Sequence, residues 1–263
     1  MAVNPEARSL AVFCDFENIA LGVREAKYDK FDMGKVLERL LAKGSIVVKK
    51  AYCDWERYKE FKATMHSTAF ELIEIPHVRQ SGKNSADIRM VVDALDLCYT
   101  KEHVDTFVIV SGDSDFSPLV SKLRENAKTV IGVGVKNSSS DLLISNCDEF
   151  IYYDDLVRAD EQKRSAAKKR RETAPAGEDK KQEALDLMLG TLEALTAERG
   201  PEERIWGSMV KQALKRRKPG FNESYYGFKA FSDLLEEAET RKLVVLERDE
   251  KSGGYLIGAA NGA

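Results

Sequence analysis

Histidine is the scarcest of the chemically versatile residues, with three in 263 positions, and none lies in an HExxH or mixed His/Cys ligand spacing. A zinc centre built by the protein alone is therefore not expected. The four cysteines, Cys14, Cys53, Cys98 and Cys147, are far apart and form no CxxC pair, which argues against a zinc ribbon or a c-type haem site. They read as small buried thiols of a reducing compartment. No apolar run approaches the roughly 18 residues of a membrane span, and MAVNPEARSL has neither a charged nor an apolar signal region. A soluble, cytoplasmic protein without a membrane partner is expected. Strong net charge is missing too: 41 Lys and Arg against 44 Asp and Glu leave −3, so any pull on nucleic acid must come from local patches. There is no P-loop GxxxxGK[ST]. The DxDx[TV] of a phosphatase is also absent, since the chain reads Asp15-Phe16-Glu17-Asn18 after its first apolar run.

What is present is an alternation of strand-like and helical stretches. The apolar run Leu10–Cys14 ends at Asp15, and a helical pattern covers Met33–Lys43. Then come Ile46–Cys53, a helix near Trp55–Ala69, the run Glu71–Ile75 and a strong helix over Ser85–Tyr99. A strand at 107–111 precedes a helix with Pro118 just inside its start, followed by strands Thr129–Val135 and Glu149–Tyr153. Strands alternating with helices predict an α/β fold over residues 1–156, a parallel sheet sandwiched by helices. Residues 157–180 are dense in Lys and Arg between Arg158 and Arg171 and then run through ETAPAGEDK without apolar periodicity. They read as a basic flexible linker, or as an extended end of the preceding helix. Over 181–263 the pattern changes. Gln182–Glu198 is helical with Leu185, Met188, Leu189, Leu192 and Leu195 on one face; a second helix runs from Gly207 through Leu214 and a third over Ser224–Arg241. Two strand-like runs, 243–248 and 255–257, close the chain as a hairpin. Three helices and a β-ribbon describe a small winged helix-turn-helix.

Four aspartates stand where such a fold does chemistry. Ligands of an open parallel sheet bind beyond the carboxyl ends of its strands, where the strand order reverses. With the order 3-2-1-4-5, Asp15 at the end of the first strand and Asp113 and Asp115 after the fourth share one crevice. Asp87, in the first turn of the helix before the fourth strand, can aim at the same edge, although an acid there also suits the helix dipole. Asp93 and Asp96 lie further along, Asp93 on another side of that helix, so a direct role for it is not expected. Carboxylates crowded together repel unless cations neutralise them. Oxygen ligands without His or Cys suit Mg²⁺ or Mn²⁺, and the chemistry implied is phosphodiester hydrolysis.

The ordered set Asp15-Phe16-Glu17-Asn18, Lys83-Asn84-Ser85-Ala86-Asp87 and Ser111-Gly112-Asp113-Ser114-Asp115-Phe116 resembles the NYN domains of the PIN-like nuclease superfamily. Cys147-Asp148-Glu149-Phe150-Ile151-Tyr152 is similar to the last strand of its LabA-like branch, and the likeness covers about residues 8–156. It implies a Mg²⁺- or Mn²⁺-dependent ribonuclease, taken as an endonuclease, with Asp15, Asp87 and Asp113 as metal ligands. Asp115 becomes a fourth acidic member, direct or through water. Asn18 holds a water, a ligand side chain or a phosphate, or merely caps a turn. Arg79 and Lys83, in the loop before Asp87, would meet the RNA backbone or stay solvated. Ser111 and Ser114 could touch a phosphate, with loop solvation favoured, and Ser138–Ser140 could cap the next helix or face the crevice, with capping favoured. Pairing into a homodimer is a further implication.

The run Trp206 to Glu223, followed by Ser224-Tyr225-Tyr226-Gly227-Phe228 and a GGY hairpin, resembles the OST-HTH or LOTUS domain over about 181–258. That likeness implies RNA binding, single-stranded or structured and in some members G-rich, or docking to a protein partner. Lys211, Lys215, Arg216, Arg217 and Lys218 then contact phosphates while Tyr225 and Tyr226 stack on bases. A solvated basic face with Phe228 and Phe231 in the core is the plainer reading. For the whole chain, a regulator that binds RNA or a partner without turnover stays open beside the nuclease.

Overall fold

The computed structural model describes residues 8–75, 85–172, 179–200, 203–250 and 252–259. The chain divides near Arg158 into two compact units.

The first unit runs β1 (Arg8–Asp15), α1 (Phe16–Glu25), α2 (Met33–Lys43), β2 (Gly44–Cys53), α3 (Lys59–Ser67), β3 (Glu71–Glu74), α4 (Ser85–Thr100), β4 (Thr106–Val110), α5 (Ser117–Glu125), β5 (Thr129–Gly134), α6 (Asp141–Asn146) and β6 (Glu149–Tyr152). All pairings are parallel and the order is β3-β2-β1-β4-β5-β6, so the winding reverses between β1 and β4 as the sequence led us to expect, with β6 added at the edge. The central strands are apolar on both faces because both faces are covered. Leu10, Val12 and Cys14 of β1 join Val108 and Val110 of β4 in one core, under Ile19 and Val23 of α1 and Val36 and Leu40 of α2. The alternate residues Ala11, Phe13, Phe107 and Ile109 form the other core with Met90 and Ala94 of α4 and Leu119 and Leu123 of α5. The first core is sealed near the carboxyl edge by Phe16, whose ring meets those of Trp55, Phe31 and Phe61.

Two features differ from expectation here. Helix α1 had no counterpart in the sequence reading, although Phe16, Ile19 and Val23 are spaced for one buried stripe. And α7 (Tyr153–Glu172) runs through most of residues 157–180, so of the two readings of that stretch the extended helix holds over its first part in place of the flexible linker. Its Ala, Lys, Arg and Glu are strong helix formers, and no Gly or Pro interrupts them before Pro175.

The second unit holds α8 (Asp179–Arg199), β7 (Ile205–Trp206), α9 (Gly207–Arg217), α10 (Phe231–Thr240), β8 (Val244–Arg248) and β9 (Tyr255–Ala259), with a mixed-length antiparallel sheet in the order β7-β9-β8. Leu185, Met188, Leu192 and Leu195 of α8 pack with Val210, Leu214, Phe228, Phe231 and Leu234 in one core. The third helix begins at Phe231 rather than Ser224. A short 3₁₀ turn over Glu223–Tyr226 ends at Gly227, whose φ of 86° is left-handed and breaks the run. The helix restarts with the Asp233 carboxylate accepting from the Lys229 and Ala230 amides at 3.1 and 3.2 Å. Among the described residues no helix is long and apolar enough to cross a membrane.

Candidate active site

The carboxyl edge at the β1/β4 switch point is laced by short polar contacts. Asp15, the last residue of β1, caps α1 by accepting from the Asn18 amide. The Ser111 hydroxyl donates to Asp15 Oδ2 at 3.0 Å and accepts from the Asp113 amide at 3.2 Å. Ser111 is fully buried, so it is a strut between two aspartates rather than the solvated loop residue expected. Asp113 in turn caps the 3₁₀ turn Ser114–Phe116, accepting from the Asp115 amide at 2.9 Å. The Asn18 Oδ1 accepts from the Gly112 amide at 2.8 Å and ties α1 to the end of β4. Ser140 caps α6, accepting from the Leu142 amide.

Three chain segments bring their charges within reach of one another. Asp15 is 8% exposed. Burial, then the charges of Asp87 and Asp113, push its carboxyl up to about 7, against the opposing pull of the Asn18 amide and the Ser111 hydroxyl. Asp87, in the first turn of α4, is pushed up to about 6 by burial and by Asp113, Asp115 and Glu17. Glu17 is the acid that the sequence reading passed over; its place two residues after Asp15 was the available signal. Asp115 is exposed. Among the described residues no three such groups close around a point tightly enough to cage an ion unaided. The donor set still fits a hard divalent cation. Mg²⁺ keeps several waters and uses one or two carboxylates plus substrate oxygens, and mutual repulsion among these acids is what a cation would relieve.

Helix α4 is held against the sheet by a second network. Tyr52, which pairs in register with Asp15, donates its hydroxyl to Asp93 Oδ2 at 2.9 Å. Lys50 reaches the same oxygen at 3.3 Å and Arg89 the other at 3.0 Å. Burial works against the Asp93 charge, but the Tyr52 hydroxyl and Lys50 outweigh it and hold that carboxyl below the usual range. Tyr52→Phe is expected to lose about 1 kcal/mol, the worth of one such hydrogen bond to a charged group reduced by its ionic neighbours. Urea denaturation checks this, and wild-type stability in the variant would show that Lys50 and Arg89 suffice.

A family model for the NYN domain matches residues 9–154, more than half of the chain. The chain belongs to the NYN domain family. Its fold is therefore that of the PIN-like nuclease superfamily, whose members are generally metal-dependent nucleases. An uncharacterized protein of Methanocaldococcus jannaschii is 28% identical over 138 residues, 52% of this chain and 54% of its own. The chain thus spans about half the length of that curated relative. A crystal structure of a protein of unknown function from Vibrio parahaemolyticus superposes with a TM-score of 0.51 at 27% identity, covering 58% of this chain and 96% of that one.

Arg79 and Lys83, expected near the NYN crevice, lie outside the described residues. The basic residues after the NYN region divide into two groups. Lys215 and Lys218 are exposed, Arg216 lies in the last turn of α9, and Lys211 is paired with Glu223 at 2.9 Å. Arg217 turns inward: its Nη1 donates to the Gly190 carbonyl at 3.0 Å and to Thr191 Oγ1 at 2.9 Å, which fastens α9 to α8. Tyr225 is 62% exposed with Lys180 Nζ 4.5 Å from its ring centroid, whereas Tyr226 stacks on Phe221 at 5.2 Å. Phe228 and Phe231 are buried in the core.

Proposed function

We propose that this NYN protein is a Mg²⁺- or Mn²⁺-dependent ribonuclease that cuts RNA internally, with the RNA recruited by a C-terminal winged helix of the OST-HTH or LOTUS type. The observation that carries the reading is the convergence of Asp15, Asp87 and Asp113 at the switch point, where burial and the neighbouring acids raise Asp15 and Asp87. These three would hold the cation, with Asp115 in its outer hydration. The chemistry the cation supplies when bound is neutralisation of the acids and Lewis-acid contact with phosphate oxygens and the attacking water. The protein's own part is positional. Ser111 orients the Asp15 carboxylate, and Asn18 fixes the Gly112 amide so that Asp113 keeps its place. Asp93, Tyr52 and Lys50 hold the helix that carries Asp87.

Three observations in the second unit support RNA recruitment: the basic end of α9, the exposed Tyr225 beneath Lys180, and the three helices with their antiparallel ribbon. With the Arg216 and Arg217 guanidinium groups committed to backbone carbonyls and Tyr226 to Phe221, the RNA surface proposed is Lys211, Lys215 and Lys218 with Tyr225. A regulator that binds RNA or a partner without turnover is the second reading.

The test is incubation of end-labelled single-stranded RNA with the full chain in Mg²⁺ or Mn²⁺, with and without chelator, beside Asp113→Asn. Internal fragments that need the metal, formed at least about 100-fold more slowly by the variant, are expected. Equal cutting by the variant or in chelator removes the proposal. RNA retained uncut in every metal hands the protein to the second reading.

A further inference from the structure

A row of carboxylates repels the polyanion it is meant to cut, so something cationic must hold the RNA backbone beside it. The sheet order supplies two such groups at matched places. The acids follow the two central strands, β1 and β4, while the flanking strands β2 and β5 are each followed by a loop with an exposed cation. After β2, Arg57 sits in the turn that leads into α3; its side chain is 51% exposed and its Nη1 donates to Glu17 Oε1 at 3.1 Å. That contact places the guanidinium two residues from Asp15 along the chain. A half-exposed ion pair of this kind contributes little to stability, and four of the five guanidinium N–H donors remain for a ligand.

After β5, Lys136 opens a 3₁₀ turn over Lys136–Ser138 and is exposed, while its amide is fixed by Asp154 Oδ2 at 2.8 Å. The same loop lies directly against the residue before Asp113: the Ser140 amide donates to the Gly112 carbonyl at 2.9 Å. A Cβ on Gly112 would stand 2.3 Å from the Ser138 carbonyl oxygen. The loop that carries Arg57 therefore borders the Asp15 side of the acidic row, and the loop that carries Lys136 borders the Asp113 side. The strands they follow are three spacings apart, roughly 14 Å at about 4.8 Å each.

We propose that Arg57 and Lys136 grip RNA phosphates on opposite sides of the scissile one, so that the strand crosses the sheet edge from β2 towards β5. This clamp rests on the ribonuclease reading above and adds the path of the substrate to it. Arg57 supplies a planar fork suited to two phosphate oxygens, and Lys136 a point charge. Both act on binding, apart from the acids that carry the chemistry.

The experiment measures cleavage of a fluorescent single-stranded RNA by the full chain at increasing salt, for wild type, Arg57→Ala, Arg57→Lys, Lys136→Ala and the double alanine variant. Each single alanine change is expected to raise KM about tenfold with kcat within about twofold. Each is also expected to flatten the slope of log(kcat/KM) against log salt by about 0.7, and the double variant by about twice that. Arg57→Lys recovers the salt slope but only part of KM, since it keeps the charge and loses the fork. Mn²⁺ affinity by calorimetry stays at the wild-type value in every variant. Wild-type KM and salt slope in both single variants would overturn the clamp while leaving the ribonuclease in place. A joint loss of kcat and Mn²⁺ affinity would overturn it too, by showing that the residues act through the acids. A wild-type chain that cuts no RNA removes the reading beneath and the clamp with it.

Discussion

Freed of metal, Asp15→Asn is expected to be more stable than wild type at pH 8 and yet to cut RNA about 10³-fold more slowly. The stability half follows from the linkage of protonation to folding. The Asp15 carboxyl, ordinarily near 3.8, is raised to about 7 in the folded chain, first by burial and then by Asp87 and Asp113. The folded state therefore holds a proton more tightly than the unfolded one between those values. Stability contributed by the protonated group is present in full below about 4 and is lost as pH rises through about 7. Asp87, raised to about 6, adds a loss of the same sign over a slightly lower window. For Asp15 alone the loss is on the order of 3 kcal/mol at pH 8, since each tenfold change in proton affinity is worth about 1.4 kcal/mol and coupling to Asp87 takes back a part.

Asparagine removes that burden and keeps most contacts. Its Oδ1 can still cap α1, and the Ser111 hydroxyl, which now donates to Oδ2, can turn to accept from the new amide. A gain on the order of 2 kcal/mol in chelator at pH 8, vanishing towards pH 4, is expected from urea denaturation. With saturating Mn²⁺ the order reverses, because only wild type gains the stabilisation of a bound ion. The activity half follows from the metal-ligand role proposed for Asp15: about 4 kcal/mol of transition-state stabilisation is roughly 10³ in rate. A variant less stable than wild type at pH 8 in chelator, or one with an unchanged pH dependence, would mean that Asp15 is not under the electrostatic strain ascribed to it.

The strand order and the positions of the four aspartates were legible because they depend on coarse signals. Leu10–Cys14 and the 107–110 run are uninterrupted apolar stretches, as doubly covered central strands require, and each ends abruptly in acid. What escaped depends on which way a polar side chain turns. Ser111 looks like any serine at a strand end until the fold buries it between Asp15 and the Asp113 amide. Arg217 belongs by sequence to a basic run, yet its guanidinium is used up by Gly190 and Thr191 one helix away. Between the two readings of 157–180, linker or extended helix end, the sequence left the choice open for a different reason. Missing apolar periodicity rules out a buried face, but a run rich in Ala, Lys, Arg and Glu needs none to be helical. Glu17 was in view within the motif itself, but its electrostatic effect on Asp87, across a sequence gap of 70 positions (17 to 87), shows only in the fold.

Gly112→Ala is expected to damage both the stability of the NYN domain and its cutting of RNA. A glycine between a strand and two aspartates suggests a tight turn, but the constraint is a close approach. The added Cβ would lie 2.3 Å from the Ser138 carbonyl oxygen, 2.9 Å from Ser139 Cα and 3.0 Å from the Ser138 carbonyl carbon. All three are backbone atoms, so no side chain can rotate away, and the β5–α6 loop must move as a body. That motion stretches the Ser140 amide to Gly112 carbonyl bond, now 2.9 Å, and strains the Gly112 amide on Asn18, now 2.8 Å. Overpacking of this kind costs about 1–3 kcal/mol, with the upper end expected where backbone rather than side chain must yield. Because Asp113 is the next residue, a displacement of about 1 Å there is worth roughly 100-fold in rate even in molecules that fold. Gly190→Ala provides the comparison: that glycine lies within α8 with nothing within 4 Å of the place its methyl would take, so the same change is expected to stabilise by about 0.5–1 kcal/mol. Urea denaturation of both variants, with RNA cleavage measured at a temperature where Gly112→Ala is still folded, separates the two effects. Wild-type stability and rate in Gly112→Ala would mean that the Ser138 loop is free to shift and does not set the position of Asp113.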